Sequence, residues 1–197
     1  MTTRGRPRAF DRDQALRSAM YVFWERGYEG TSMADLTGAM GINSPSLYAA
    51  FSSKESLYRE ALALYGDTEG AVTRRAVAEK ATAREAVEAI LRGNVDTFTT
   101  EGKPSGCMVV LSATNCTPEH ESVRQFATQW RRQDEATLRE RLDKGVADGD
   151  LPANTDTKRM ARFYFTVLYG ISVQARDGAT REELYSIVDQ AMSAWSA

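Results

Sequence analysis

The stretch that most constrains this 197-residue chain runs from Gly27 to Leu57, GYEGTSMADLTGAMGINSPSLYAAFSSKESL. It reads as two short helices joined by a glycine turn, with a third helix opening directly behind them. Thr31 and Ser32 supply capping hydroxyls, and Met33, Leu36 and Met40 follow at spacings of three and four. Gly41 breaks the pattern as a C-terminal glycine does. Ser44 then restarts it as a cap, with Pro45 at the first helical position, where no amide proton is needed. Leu47 and Phe51 anchor the second helix, and Ser52 with Glu55 has the spacing of a capping box for the third. Helix, turn, short helix is the arrangement in which the second helix enters the DNA major groove. An ordinary helical hairpin has the same spacing, so periodicity alone leaves both readings open.

The residue identities go further. A glycine–aromatic pair (Gly27, Tyr28), Thr31–Ser32, the turn glycine Gly41, the set Leu47, Tyr48 and Phe51, and then Lys54–Glu55 resemble the DNA-binding domain of the tetracycline-repressor (TetR) family of bacterial regulators. The resemblance covers roughly residues 8–65. It implies an N-terminal three-helix helix-turn-helix domain and a C-terminal helical domain that binds an effector and dimerises. The division expected is residues 1–52 for the first, with its basic arm, and residues 53–197 for the second.

Charge supports one DNA-facing end. The formal net charge is −2, yet residues 1–10 carry Arg4, Arg6 and Arg8 and no acid. A basic arm on a mildly acidic body suits a protein that touches nucleic acid at one end only. No run of 18 apolar residues is present, so no membrane partner is expected, and the basic N-terminus lacks the apolar segment of a signal peptide. Cys107 and Cys116 are nine residues apart; on one helix they would be separated by about 900° and roughly 13 Å, too far to bridge. A reduced, cytoplasmic protein is expected.

Helical periodicity continues through the chain. Asp11 caps a first helix with Leu16, Ala19, Met20, Phe23 and Trp24 on its apolar face, and Leu57, Ala61, Leu64 and Tyr65 mark the helix behind the recognition helix. Residues 66–81 are alanine-rich and charged, with no firm stop. Thr82 and Glu85 box a helix carrying Val87, Ile90, Leu91, Val95 and Phe98. A short apolar helix is expected over Cys107 to Cys116, and Thr117–Pro118 opens a long helix with Val123, Ala127, Trp130, Leu138, Leu142 and Val146. Asp156 opens a helix apolar nearly all the way round, and Thr180 with Glu183 boxes the last. No strand pattern appears; the fold expected is all-α, with about nine helices.

The last two helices hold more apolar surface than one small subunit covers, which marks an interface. Val167, Val173, Leu184, Ile187, Val188, Met192 and Trp195 are the residues expected there, in a four-helix, two-fold contact. Such a homodimer demands a near-palindromic double-stranded operator. Within the head, Lys54 at a helix N-terminus suits a phosphate, and the resemblance implies phosphate contacts from Tyr48 and Thr31. Arg4 and Arg6 are placed for the minor groove or backbone. Base reading falls to Ser44, Pro45, Ser46 and Ala49, with Ala50. None of these can make a bidentate contact to guanine or adenine, so thymine-methyl contacts and shape readout are expected.

For the body, the resemblance implies a small-molecule pocket that moves the head. Its candidate lining is Phe98, Cys107, Met108, Leu111, Phe126, Trp130, Phe163, Tyr164 and Tyr169, which suits an apolar or aromatic effector. His120 is the only histidine, on a helix's first turn beside Glu119 and Glu121, so no metal site and no cofactor are expected. Cys107, near a helix start, has a place where its pKa would fall and make it a sensor of electrophiles; a buried small hydrophobe is the competing reading. An enzyme with a non-functional DNA-binding head is the alternative function, but there is no nucleophile–base–orienter set and no phosphate loop. The function expected is therefore a ligand-responsive transcriptional regulator of the repressor type, not an enzyme.

Overall fold

A computed structural model of the protein is described here over residues 11–195. Among these residues there are ten α-helices and no strand. The helices are α1 (Arg12–Arg26), α2 (Met33–Met40), α3 (Ser44–Phe51), α4 (Lys54–Asp67) and α5 (Val72–Glu79). They continue with α6 (Ala83–Phe98), α7 (Met108–Leu111), α8 (Glu121–Ala147), α9 (Thr157–Arg176) and α10 (Arg181–Ser193). One turn of 3₁₀ helix, Pro118–His120, leads into α8, so Thr117 and Pro118 precede the long helix and do not start it.

Side-chain caps set most of these boundaries. The Asp11 carboxylate accepts from the amides of Asp13 and Gln14, each at 3.0 Å. Ser32 and Asp35 form a reciprocal capping box on α2, and so do Thr82–Glu85 on α6 and Thr180–Glu183 on α10. Two caps lie one residue from their expected places. Asn43, not Ser44, caps α3, its Oδ1 accepting from the Ser46 amide at 2.9 Å. Ser53, not Ser52, caps α4; Ser52 sits in the turn with φ of +64°, unusual for a residue with a Cβ. In both cases adjacent polar residues compete for one capping position, and spacing cannot rank them. Helix α5 lies in the stretch that showed no stop. Its N-cap is Ala71, without a capping side chain, so no start signal marks it.

Two apolar clusters form the interior. The first joins Phe23, Trp24, Leu36, Leu47, Phe51, Leu57, Tyr58 and Tyr65 from α1–α4, and also takes in Met108 and Val109 of α7 and Val123 and Ala127 of α8. The packing of the head therefore runs through α4 without a break at residue 52. The second cluster is built by α6, α8, α9 and α10 around Leu91, Phe98, Leu142, Phe165, Leu168, Leu184 and Val188. Cys107 and Cys116 share no helix: Cys107 precedes the one-turn α7, Cys116 lies in the loop beyond it, and both thiols are free.

The two clusters meet at a seam built on the end of α1. Gly27 ends the helix with φ of +71°, and a Cβ there would lie 3.2 Å from the Ser112 carbonyl oxygen, so the close approach requires glycine. The next amide, of Tyr28, donates to that same oxygen at 2.7 Å. The Trp24 indole donates to the Gly106 carbonyl at 2.9 Å, and Tyr58 shares a hydrogen bond with the Ser112 hydroxyl at 2.7 Å. From α9, Arg176 donates to the carbonyls of Trp24 and Glu25, each at 2.8 Å, capping the C-terminus of α1.

Replacing Arg176 with Met keeps the apolar stem and removes both donors. Its expected cost is about 1–2 kcal/mol, near the net worth of two hydrogen bonds, read as a lower urea midpoint with an unchanged slope.

Candidate nucleic-acid interface and ligand cleft

The turn between α2 and α3 presents α3 outward. Leu36, Met40, Leu47 and Phe51 are buried beneath it, and Gly41, in the left-handed region, allows the chain to reverse. Ser44, Pro45, Tyr48 and Ala49 are exposed, with Ser46 and Ala50 half-buried. Tyr48 is 49% exposed, the most open large apolar side chain among the described residues. Arg12 fastens α3 from behind: it lies over the Phe51 ring at 4.4 Å, donates to the Ala50 carbonyl at 3.4 Å and pairs with Glu60 at 2.7 Å.

Other residues expected at DNA are placed differently. Thr31 is buried, and its hydroxyl donates to the Gly27 carbonyl at 2.6 Å, so it holds the turn before α2 and does not present its hydroxyl to a phosphate. Lys54 is the first residue of α4, half-buried, with Nζ 4.2 Å from the centre of the Tyr28 ring. Desolvation pushes its ammonium below the usual lysine range, against the pull of Glu29 and Cys116. Arg4 and Arg6 lie outside the described residues.

Beside Lys54 is a polar junction that spacing could not reveal, because its members are distant in sequence. The Glu29 carboxylate accepts from the Thr117 amide at 2.7 Å and its hydroxyl at 3.1 Å, and faces His120 Nδ1 at 2.8 Å. The Thr117 amide chiefly holds the Glu29 carboxyl below its ordinary value. His120, in the turn that leads into α8, packs edge-on against Tyr28 with ring centres 5.0 Å apart. Burial, then Glu55 and Glu29, raise the Tyr28 hydroxyl to about 12.

A cleft of about 780 Å³ lies between α4, α5, α7 and α8, within the usual range for small-molecule sites. Gly66, Gly70, Thr73, Arg74, Val109, Phe126, Trp130, Gln133, Asp134 and Thr137 are in its wall. Gly66 is needed for close approach: a Cβ there would lie 2.4 Å from the Trp130 ring. Of the nine expected lining residues, only Phe126 and Trp130 are in this wall. Phe98 and Tyr164 are buried in the body core, Met108 in the head core, and Leu111 is half-buried outside the wall. Tyr169 stands on α9 with its hydroxyl donating to the Arg131 carbonyl at 3.3 Å. Phe163 is 44% exposed on α9, outside this wall. Those aromatics fill one another's gaps, whereas the cleft forms where α5 crosses α8.

Asp134 escaped the sequence reading but left a signal there. On α8 the stripe Val123, Ala127, Trp130, Leu138, Leu142 skips one place, and that place is Asp134. Desolvation pushes its carboxyl up to about 6, against the pull of Arg74. Of the two readings of Cys107, the structure agrees with the buried small hydrophobe and not with the lowered pKa. Its thiol, reached by the Tyr65 hydroxyl at 3.6 Å, is pushed up by burial, because a single turn of helix offers too little dipole to offset desolvation.

The expected interface residues divide into two sets. Leu184, Val188 and Met192 are buried against α6 and α9, so the stripe they form serves the subunit's own core. Trp195 is half-buried with its ring 5.7 Å from that of Tyr164. Val173 and Ile187 are exposed, with Val167 partly so; Phe163, Val173 and Ile187 are three of the four exposed large apolar residues among those described, which makes one outward apolar face on α9 and α10.

Comparison with known proteins agrees with this geometry. The sequence profile described as bacterial regulatory proteins, tetR family, matches residues 15–61, and that of the tetracyclin repressor-like C-terminal domain matches residues 83–183. The HTH-type transcriptional repressor ComR of Escherichia coli K12 is 34% identical over 98% of this chain and 92% of its own length. BdcR of the same organism, also an HTH-type repressor, is 31% identical over 91% of this chain and 86% of its own. A cysteine mutant of the TetR-family regulator CifR, solved with 26-bp operator DNA, is 52% identical with a TM-score of 0.94, covering 97% of this chain and 100% of that one. No helix among the described residues is long and apolar enough to cross a membrane. A three-helix head with an outward α3, joined to a helical body and matched over almost its full length by DNA-bound and repressor relatives, places this chain in the TetR family as a DNA-binding transcriptional regulator.

Proposed function

We propose that the protein is a ligand-responsive repressor that binds a near-palindromic operator as a homodimer and leaves it when a small apolar or aromatic molecule fills the cleft between α5 and α8. One observation carries this reading: α4 belongs to both ends. Its first residue, Lys54, stands at the recognition helix against Tyr28, and Gly66 near its far end touches Trp130 in the cleft wall. A 14-residue helix is about 20 Å long and stiff, so a displacement of Trp130 tilts the head. A ligand acts only by favouring the conformation in which the two reading helices are misplaced.

The relatives support the repressor sense, ComR and BdcR by name and CifR by its operator complex. The outward apolar face of Phe163, Val167, Val173 and Ile187 is the surface proposed for the dimer. The head gives α3 a small, weakly polar reading face, so Ala49 meets thymine methyls and Tyr48 a phosphate, with shape readout supplying the rest. Lys54 keeps donors free for a backbone phosphate beyond its contact with Tyr28.

Selection of bound sequences from random DNA should recover an inverted repeat; recovery of no symmetric site rejects the dimeric operator. Replacing Lys54 with Ala should weaken binding to all sequences alike and lower the slope of log affinity against log salt by about one; an unchanged slope removes the phosphate role. Replacing Ile187 with Asp places a charge in the proposed contact, and sedimentation should then show monomers with operator affinity reduced at least about tenfold.

A further inference from the structure

The cleft holds an ionisable group that an apolar effector does not need. Asp134 occupies the inward stripe of α8 one turn beyond Trp130, in the same wall as Phe126 and Trp130. Among the described residues its carboxylate makes no hydrogen bond and no ion pair. The cations nearby are otherwise disposed. Arg74 donates to the Gly66 carbonyl and to Asp67, each at 3.1 Å, and Arg132, also in the wall, is exposed to solvent. From the other elements, Tyr169 of α9 and Cys107 before α7 lie within electrostatic reach of the same carboxylate, and neither carries a positive charge. Partial burial weakens the hydration of this carboxylate, which still opens to the cleft, and a bound cation compensates for what is lost. Tryptophan beside it adds a face that attracts cations.

We propose that the cleft selects a monocationic aromatic amine, whose charged nitrogen sits at Asp134 and whose rings lie along Trp130 and Phe126. The inference rests on the cleft being the effector site and names the chemistry of what enters it. An anionic ligand held by Arg132 and Arg74 is the opposite choice. It would place its charge beside an ionised Asp134, which disfavours it.

The test compares N-methylphenanthridinium, permanently cationic, with phenanthridine, its neutral counterpart near neutral pH, on the full chain without DNA. Calorimetry should show the cation bound at least about tenfold more tightly, and Asp134→Asn should abolish that preference while leaving phenanthridine unchanged. Equal affinities in the wild type, a preference that survives in Asp134→Asn, or no binding of either compound overturns the proposal. Operator release separates the two readings. If both compounds release the operator equally, the effector site stands and the charge selection falls. If the cation binds through Asp134 yet releases no DNA, the charge selection stands and the effector role falls. The variant's fold is checked by its pH dependence. A carboxyl whose folded pKa is raised favours folding when protonated, so its destabilising effect is absent below the unfolded value, about 4, and full above the folded value. Asp134→Asn should therefore melt higher than wild type near neutral pH, and the gain should vanish in acid. A variant melting lower at both ends would show a hydrogen-bonded, structural Asp134 and overturn the proposal.

Discussion

The end of α1 is where the molecule is held together. A helix C-terminus leaves carbonyls without partners, and burying such a group unpaired is costly. Here Trp24 is buried at that end while Glu25 and Arg26 are exposed, and the carbonyls find partners across the seam, although the buried Arg176 Nε has none among the described residues. Arg176 answers the carbonyls of Trp24 and Glu25, the Ser112 carbonyl takes the Tyr28 amide, and the Gly106 carbonyl takes the Trp24 indole. Directional bonds of this kind fix an orientation where apolar contact alone would permit sliding. The angle of the head relative to the body is therefore set by a few distant residues meeting at one helix end.

That constraint explains how a cleft in the body can matter to α3. The seam anchors one side of the head, through α1, while α4 forms the other side and runs on to the cleft. Under the proposed ligand response, a push on α4 near Gly66 would turn the head about the seam. The junction of Glu29, Thr117, His120 and Lys54 then lies where α4 and the loop before α8 would move past each other. Its contacts are polar and partly exposed, so each contributes little, and rearranging them costs less than opening the aromatic cluster of Phe23, Tyr58 and Tyr65 behind them.

How much of this was legible depended on range. Helices with a capping side chain and an apolar stripe declared themselves, as α6 and α10 did through Thr82–Glu85 and Thr180–Glu183. α5 did not, because Ala71 offers no cap and the helix buries only Thr73 and Ala76. Missing α5 meant missing the cleft, which exists only where α5 crosses α8. The expected pocket residues were assigned by size and apolarity, and these traits do not separate a wall from a filled core; Phe98 and Tyr164 went into the core for that reason. The expected interface residues divided for a similar reason: Leu184, Val188 and Met192 form the inward stripe of α10, while Ile187 is offset from that stripe and outward. Family resemblance located α3 correctly, but it could not show that the Thr31 hydroxyl is occupied by Gly27.

Asp134 is the exception, a cleft residue marked in one dimension by what it interrupts. Leucine at that place would complete the stripe of α8, close part of the cleft and remove a carboxylate with no partner. By the ordinary rules of core packing the protein would then be more stable. A chain that follows those rules at Ala127, Leu138 and Leu142 and breaks them between is giving up stability at one place, and such local violations concentrate where a site needs them. Gly66 points the same way: it weakens α4 as a helix and brings Trp130 against bare backbone. Two departures from the most stable sequence, on facing helices, converge on the same opening beside the same tryptophan. That convergence is what the proposed binding cleft, tied mechanically to α4, would need.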